Sequence, residues 1–301
     1  MKESTRGAFA VFFTYVFWGI NPIYWKVLSS VDPTEILAHR AIWSCILSFF
    51  LVVAAHKTSD FVSLFRTNRR ALVTFALSGA AISTNWGIYI WAVNSGRILE
   101  SSLGYFINPL VSILFGVVIF KESLNKIQWL AIGIAATGIC FEVAALGHLP
   151  FVSLSLAFSF GAYGLLKKLS PVKSSLVGFT VETLFMTPFA LSWLIWRQNS
   201  GAAHFPYETL TTLLLVGTGV VTSVPLITFA WGVKRCAMTT VGLIQYTSPI
   251  LMFISAAFIY HEPISPIRLL SFVLTWISII IFTADSLRRA KKTDRTTEVE
   301  N

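Results

Sequence analysis

Charged residues are scarce in this sequence: Asp, Glu, Lys and Arg make up 12% of its 301 residues, whereas 55% are hydrophobic and the mean hydropathy is +0.71. An ordinary soluble protein carries about 25% charged residues, so this composition excludes that class. The net charge of +9 does not indicate nucleic-acid binding, because the basic residues lie in short connections and at the C-terminus rather than on one extended face. Lipid is therefore the predicted solvent for most of the chain.

Cysteine and the motifs of catalysis are equally scarce. Cys45, Cys140 and Cys236 lie in or beside apolar runs, at spacings too wide for a metal or redox motif, so we interpret them as packing residues. His261-Glu262 lacks the second histidine of a zinc-binding helix, and neither a phosphate loop nor a serine nucleophile elbow is present. We therefore expect no metal, no cofactor and no enzyme activity.

Long apolar runs account for most of the chain. A membrane helix needs about 20 mostly apolar residues. Ten runs approach or exceed that length, at 8–26, 34–55, 71–94, 98–120, 126–146, 150–166, 175–196, 209–233, 238–260 and 266–285. Helices are required because backbone polar groups in hydrocarbon must be bonded within their own segment. The first run continues without a cleavage pattern, so it is predicted to be a retained helix.

The basic residues orient these spans. With a cytoplasmic N-terminus, 18 of the 23 Lys and Arg residues fall in cytoplasmic segments such as the connections 56–70 and 167–174, and the other five are Lys26, Arg40, Arg97, Arg197 and Arg268. Cytoplasmic connections carry an excess of Lys and Arg, so both termini are predicted to be cytoplasmic in a multi-pass protein of the bacterial cell inner membrane. The charged segment 287–301 is predicted to be a disordered cytoplasmic tail.

An internal repeat divides the spans into two sets of five. When the sequence is aligned with itself without a gap, the rarer residues coincide in one register: Gly79 with Gly219, Ser83 with Ser223, Trp91 with Trp231, Leu103 with Leu243, Pro109 with Pro249, and Glu122 with Glu262. This register offsets the chain by five spans, and an odd offset reverses the direction through the membrane. The sequence thus predicts an all-α integral membrane protein with ten transmembrane helices in two inverted five-helix repeats, 1–147 and 148–286. Such repeats are typical of transporters with a substrate site near the midplane.

The two prolines of this alignment lie near the middle of their spans. Each removes one backbone donor and frees the carbonyl four residues earlier, at Tyr105 in one half and Gln245 in the other. Asn108 and Ser248 directly precede the prolines. Two interpretations remain open, a polar cavity wall or a packing kink.

Ionisable residues inside spans are functional candidates by default. Arg40 lies about 10 Å along the second span, which begins with Asp32 as N-cap, Pro33 at the first helical position and Glu35 as a capping-box acid. Arg40 is either a substrate ligand or one half of an ion pair with Glu100. Glu182, two turns inside the seventh span, is either a proton-coupling group or a structural charge.

The spans carry several longer motifs: Trp18-Gly19-Ile20-Asn21-Pro22, Glu35-Ile36-Leu37-Ala38-His39-Arg40, Asn85-Trp86, Tyr163-Gly164, Gln245-Tyr246 and the long block Glu100-Ser101-Ser102-Leu103-Gly104-Tyr105-Phe106-Ile107-Asn108-Pro109-Leu110. These motifs resemble those of the RarD-type members of the EamA family, within the drug/metabolite transporter superfamily. The resemblance implies an inner-membrane permease with two five-helix halves, in a group linked to chloramphenicol. Substrates differ widely across such a superfamily, so the cargo stays open.

The candidate substrate-binding residues are Trp18, Asn21, Tyr24, His39, Arg40, Asn85, Tyr89, Tyr105, Asn108, Tyr163, Gln245, Tyr246 and Ser248, with Glu182 as coupling candidate and Pro109 and Pro249 as helix-kink residues. The leading hypothesis is a secondary transporter, permease or exporter, of small metabolites or drugs by alternating access. A membrane-embedded enzyme and a non-transporting sensor or assembly protein are the alternatives. The expected partners are the lipid bilayer and a small-molecule substrate but no nucleic acid; proton coupling, facilitated diffusion and a homodimer stay open.

The topology has a direct test. Asn68→Cys lies in the connection 56–70, which the charge distribution places in the cytoplasm. A membrane-impermeant thiol reagent applied to intact cells should leave this cysteine unmodified and should modify it after the membrane is permeabilised. Modification in intact cells would contradict the predicted orientation.

Overall fold

The structure, a computed structural model, describes residues 3–95, 97–255, 258 and 265–299; of residues 93, 94, 98, 99 and 286–299 it describes the backbone only. Every regular element in these ranges is a helix, which agrees with the predicted fold class. The helices are α1 (Glu3–Val27), α2 (Pro33–Ala54), α3 (Thr58–Thr67), α4 (Arg69–Asn94), α5 (Ile98–Val118), α6 (Lys126–Leu146), α7 (Phe151–Leu169), α8 (Ser175–Asn199), α9 (Thr209–Val233), α10 (Met238–Gln245), α11 (Thr247–Ile254) and α12 (Pro266–Val299).

Eight of the described helices are long and apolar enough to cross a bilayer on length and composition alone. The shorter or less apolar α7 and the α10–α11 segment, Met238–Ile254, coincide with the other two predicted spans. The remaining helix, α3, lies in the connection predicted to stay outside the membrane, and its Leu64 packs on Val52 and Ala71. The protein is therefore a multi-pass membrane protein whose spans follow the apolar runs of the sequence.

The ninth span is broken rather than continuous. Helix α10 ends at Gln245 and α11 begins at Thr247, just before Pro249. Proline cannot donate a backbone hydrogen bond and its ring crowds the carbonyl four residues earlier, which here belongs to Gln245. Pro109 lies inside the unbroken α5, so the two kink residues act differently. The end of this span and Glu262 lie outside the described residues.

The two repeats correspond helix by helix. The end of α1 at Val27 corresponds to the end of α7 at Leu169, and in the same register the start of α2 at Pro33 corresponds to the start of α8 at Ser175. This register relates the first two helices of each repeat and differs from the one that aligns Pro109 with Pro249 in the later helices. Helix contacts follow this correspondence: α1 packs on α9 and α11, as α7 packs on α4 and α5, while α2 crosses α8 and α6 crosses α12. Because each repeat crosses five times, the second repeat runs in the opposite direction to the first.

Glycines allow close contact between the repeats at equivalent places. A Cβ on Gly19 would lie 2.7 Å from Leu251, and one on Gly161 would lie 2.7 Å from Val111. Backbone approach through small residues is how membrane helices associate, since lipid provides no hydrophobic driving force between them. The same contact on both sides of the bundle keeps the repeats symmetrically packed.

The start of α2 confirms part of the sequence reading. Asp32 accepts a hydrogen bond from the Thr34 backbone N–H at 2.8 Å, and Pro33 is the first helical residue. The capping-box role of Glu35 was wrong, because its carboxylate turns away from the cap. It accepts from the His204 backbone N–H at 2.8 Å and pairs with Arg197 Nε at 3.4 Å, so it ties α2 to the α8–α9 connection.

The last helix continues into the charged segment after 286, for which a disordered tail is predicted. The side chains beyond Asp285 lie outside the described residues, so the order of the tail stays a prediction.

The packing predicts a contrast between two helical glycines. A Cβ on Gly219 would lie 2.8 Å from backbone atoms of Trp43 in α2, whereas one on Gly87 would meet nothing within 4 Å. Gly219→Ala should therefore lower the thermal unfolding midpoint in detergent, and Gly87→Ala should leave it unchanged or raise it, since Ala favours helix by about 1 kcal/mol over Gly. Equal midpoints for the two variants would show that α2 and α9 are not in close contact.

Candidate functional site

A cavity of about 170 Å³ lies among the spanning helices of both repeats. Its walls come from α1, α2, α4, α5, α7, α9, α10 and α11. It extends from the middle of the bundle toward the end where α2, α5 and α7 begin, because its lining residues Trp25, Tyr89 and Ser101 lie close to the end of α1, the end of α4 and the start of α5. We call this end of the bundle the cavity end and the opposite end the sealed end.

Arg40 provides the cavity with a fixed positive charge. Its Nε donates to the Thr222 hydroxyl at 3.1 Å, and its guanidinium carbon lies 4.1 Å from the centre of the Trp86 ring and 5.0 Å from that of Trp25. Aromatic faces stabilise a guanidinium without neutralising it. The alternative in which Arg40 pairs with Glu100 is not the one observed: the Glu100 carboxylate lies 3.5 Å from Arg97, the N-cap residue of α5, in an (i, i+3) pair. No carboxylate of the described residues forms an ion pair with Arg40.

Two amide side chains present free polar atoms to the cavity. Asn108 Oδ1 and Gln245 Nε2 are buried and have no hydrogen-bond partner within the described part of the protein. Gln245 Oε1 accepts from the Ser112 hydroxyl at 2.8 Å, which fixes the orientation of this side chain. A buried polar atom without a partner costs free energy, so these atoms are positioned to bind water or a ligand.

Aromatic rings form much of the remaining wall. Trp18 and Phe160 meet edge to face at 5.6 Å, and Tyr89 and Tyr105 meet at 6.1 Å. Tyr89 and Tyr105 keep 37% and 39% of their surface exposed, so the cavity reaches both rings. An apolar aromatic wall with a few polar groups is the usual composition of a small-molecule site.

The structure gathers most of the predicted substrate-binding residues around this cavity. They are Trp18, Asn21, Arg40, Asn85, Tyr89, Tyr105, Asn108, Gln245 and Ser248, together with the kink residue Pro249. Asn85 also bonds α7, through the Leu156 carbonyl at 2.9 Å and the Ser159 hydroxyl at 3.0 Å. This residue therefore links helices and lines the cavity at once.

The other predicted residues lie elsewhere. Tyr24 donates from its hydroxyl to the Leu214 carbonyl in α9. His39 is buried against the α8–α9 connection, where its ring lies 4.9 Å from that of Phe205. Tyr163 and Tyr246 are fully buried outside the cavity wall, and Pro109 does not line it either.

Sequence reasoning missed Trp25, Trp86 and Thr222 as cavity residues. Trp86 had a usable signal, because Ile82, Trp86 and Tyr89 share one face of α4 with the predicted Asn85. Thr222 had none, since its role depends on the position of Arg40 in the other repeat.

The sealed end holds the coupling candidate. Glu182 in α8 forms an ion pair with Lys167 in α7, and these side chains are 1% and 2% exposed. Helix α7 continues beyond the predicted span 150–166 to Leu169, so Lys167 lies within the helix. Burial, with a smaller contribution from Lys167 and Arg235, lowers the pKa of Lys234 at the end of α9 to about 8.

The described residues contain no group of three or more His, Cys, Asp or Glu side chains placed to share a metal ion. The functional groups that they bring together are one guanidinium, several amides and hydroxyls, and aromatic rings. This arrangement is suited to binding a small molecule between two halves of a membrane protein.

Comparison with known proteins defines the class. The sequence profile described as the EamA-like transporter family matches residues 5–143 and again residues 146–284, one match for each repeat. The chain therefore belongs to the EamA-like transporter family, and it is a membrane transporter of the drug/metabolite superfamily.

Full-length relatives support this membership. The chain is 40% identical to the "Uncharacterized transporter YojE" of Bacillus subtilis, with 96% of this chain and 98% of that protein covered. It is 35% identical to "Protein RarD" of Escherichia coli, with 98% and 99% covered. It is 30% identical to the "Chloramphenicol-sensitive protein RarD" of Pseudomonas aeruginosa, also with 98% and 99% covered. A solved structure titled "Crystal structure of protein" shares the fold, with a TM-score of 0.69 at 16% identity over 91% of this chain and 96% of that chain.

Proposed function

We propose that the protein is a secondary transporter of small metabolites or drugs that works by alternating access and binds an anionic group of its substrate at Arg40. The observation that carries the proposal is a guanidinium with no carboxylate partner among the described residues, facing a cavity between two inverted repeats. A charged side chain inside a membrane span faces water, a partner of opposite charge or a ligand. A guanidinium group binds a carboxylate through two parallel hydrogen bonds, in bidentate geometry.

The membrane orientation gives this conformation a direction. With both termini in the cytoplasm of a bacterium, as the basic residues favour, the cavity end faces the outside of the inner membrane. The structure then corresponds to an outward-facing conformation in which the sealed end is cytoplasmic. Rocking of the repeats about the central site would expose the cavity to the other side.

The cavity favours a compact substrate with both a charged and an apolar part. Arg40 attracts the anion, Asn108 Oδ1 and Gln245 Nε2 hold further polar groups, and the rings of Trp18 and Tyr105 pack on an apolar body. The name of the Pseudomonas aeruginosa relative adds chloramphenicol to the compounds worth testing.

Coupling to a proton through Glu182 requires separation of this carboxylate from Lys167, so the ion pair is the first barrier to protonation of Glu182.

Substitution of Arg40 tests the proposal. Small organic carboxylates, and chloramphenicol, are screened by thermal shift of the purified protein and by counterflow in proteoliposomes, with the amide of each carboxylate as its neutral match. Carboxylates that stabilise the parent should lose about tenfold or more in affinity in Arg40→Lys, because the ammonium cannot reproduce the planar fork. Thr222→Val, which removes the bond to Nε, should weaken the same ligands less.

Arg97→Lys is the matched control, since Arg97 is a half-exposed arginine at the cavity end that does not line the cavity. It should bind every ligand as the parent does. Unchanged carboxylate binding by a folded Arg40→Lys protein, or equal stabilisation by the carboxylates and their amides, would exclude Arg40 as the anion site.

A further inference from the structure

Arg40 and Glu182, which each lie two turns inside a spanning helix, occupy equivalent positions in the two repeats. The register that matches Val27 with Leu169, and so relates α1 to α7 and α2 to α8, carries Arg40 onto Glu182 and Trp25 onto Lys167. In the first repeat the Arg40 guanidinium stacks on Trp25, and in the second Glu182 pairs with Lys167. Corresponding contacts therefore join the same two helices in each half, with different chemistry.

The surroundings of these contacts differ in one respect. Arg40 and Trp25 line the cavity, whereas Lys167 and Glu182 are almost completely buried at the sealed end. In an inverted repeat, exchanging the conformations of the halves turns an opening at one end into an opening at the other. The sealed-end counterparts of cavity residues are then the lining of the opposite-facing conformation.

Orphaned polar atoms mark these counterparts. The Tyr163 hydroxyl is buried without a hydrogen-bond partner among the described residues, and Glu182 Oε1 has no partner there other than the neighbouring Ser78 hydroxyl. In the same register their counterparts are the cavity residues Asn21 and Arg40. Buried polar atoms without partners are costly in a static structure, and they are accounted for if water reaches them in a second conformation.

Only a thin layer separates Glu182 from the present cavity. A small void of about 10 Å³ is bordered by Glu182 on one side and by Arg40, Trp86 and Thr222 on the other, and these last three also line the cavity. Gly79 of α4 faces Glu182, so a Cβ there would lie 3.5 Å from the Glu182 Cγ atom. Glu182 thus lies directly behind the part of the cavity wall that Arg40, Trp86 and Thr222 form.

We propose that the Lys167–Glu182 ion pair is the gate of the sealed end, and that both side chains line the substrate pathway when that end opens. The proposal rests on the alternating-access function proposed above. In this structure the pair holds α7 against α8 and closes the pathway. When the cavity end closes, the pair separates and its charged atoms are hydrated.

The test uses two reporter cysteines in a protein whose native cysteines are replaced by alanine. Tyr89→Cys reports the cavity, since Tyr89 lines it and is 37% exposed, and Val241→Cys reports the sealed end, since Val241 is 1% exposed and is the counterpart of the cavity residue Ser101 in the register that aligns Pro109 with Pro249. A hydrophilic maleimide should label Tyr89→Cys quickly and Val241→Cys slowly in the purified protein. Replacement of the ion pair by a neutral pair, Lys167→Met with Glu182→Gln, should raise the rate at Val241→Cys by about tenfold and lower the rate at Tyr89→Cys, because the open sealed end gains population.

A second ion pair at the same end is the matched control. Arg235, in the connection between α9 and α10, lies 3.0 Å from Glu3 in α1, and both side chains are more exposed than Lys167 and Glu182, so Arg235→Met with Glu3→Gln should leave both rates unchanged. Glu182→Asp shortens the side chain but keeps a carboxylate near Lys167, so it should give an intermediate rate at Val241→Cys. This variant replaces the neutral pair in the comparison if the neutral pair does not fold. Parent rates in a folded neutral-pair or Glu182→Asp protein would show that the pair is structural. No substrate is used, so a failed substrate screen and a failed gate give different results.

Discussion

A charge inside a membrane protein must be compensated by water, by a counter-charge or by the face of an aromatic ring. The arrangement of this bundle follows from how two such charges are compensated. Arg40 has a cavity and the rings of Trp86 and Trp25, and so the cavity end of the bundle encloses water-accessible volume. Glu182 has Lys167 instead, and the helices around that pair leave these two side chains only 1% and 2% exposed.

Much of the fold could be read from the sequence, because the apolar runs set the span positions and the reversed repeat sets the pairing of helices. Pro249 was expected to free the Gln245 carbonyl, and the helix is interrupted at that residue. The sequence did not predict that the interruption would divide the span into two helices. Pro109 is the same residue type in a helix that stays whole. Local chemistry identifies where a helix can break, and only packing decides whether it does.

The candidate site was partly predictable for a similar reason. Depth within a span identified Arg40, and one-face spacing identified Asn85 and Tyr89, since both depend on one helix alone. Thr222 and Lys167 depend on which helices meet. Lys167 stands beside Lys168 in a basic run that resembles a connection, and nothing local reveals that a carboxylate 15 positions later lies within its reach.

The void between Arg40 and Glu182 also bears on how such a chain could have arisen by duplication. A protein made of two copies of the first repeat would place a guanidinium on both sides of a space of about 10 Å³, and the two cations would repel across it. Two copies of the second repeat would bring two carboxylates together there. The two repeats share one backbone arrangement but are no longer interchangeable. If the repeats are expressed as separate chains, only the combination of one first repeat with one second repeat places opposite charges, Arg40 and Glu182, at this void.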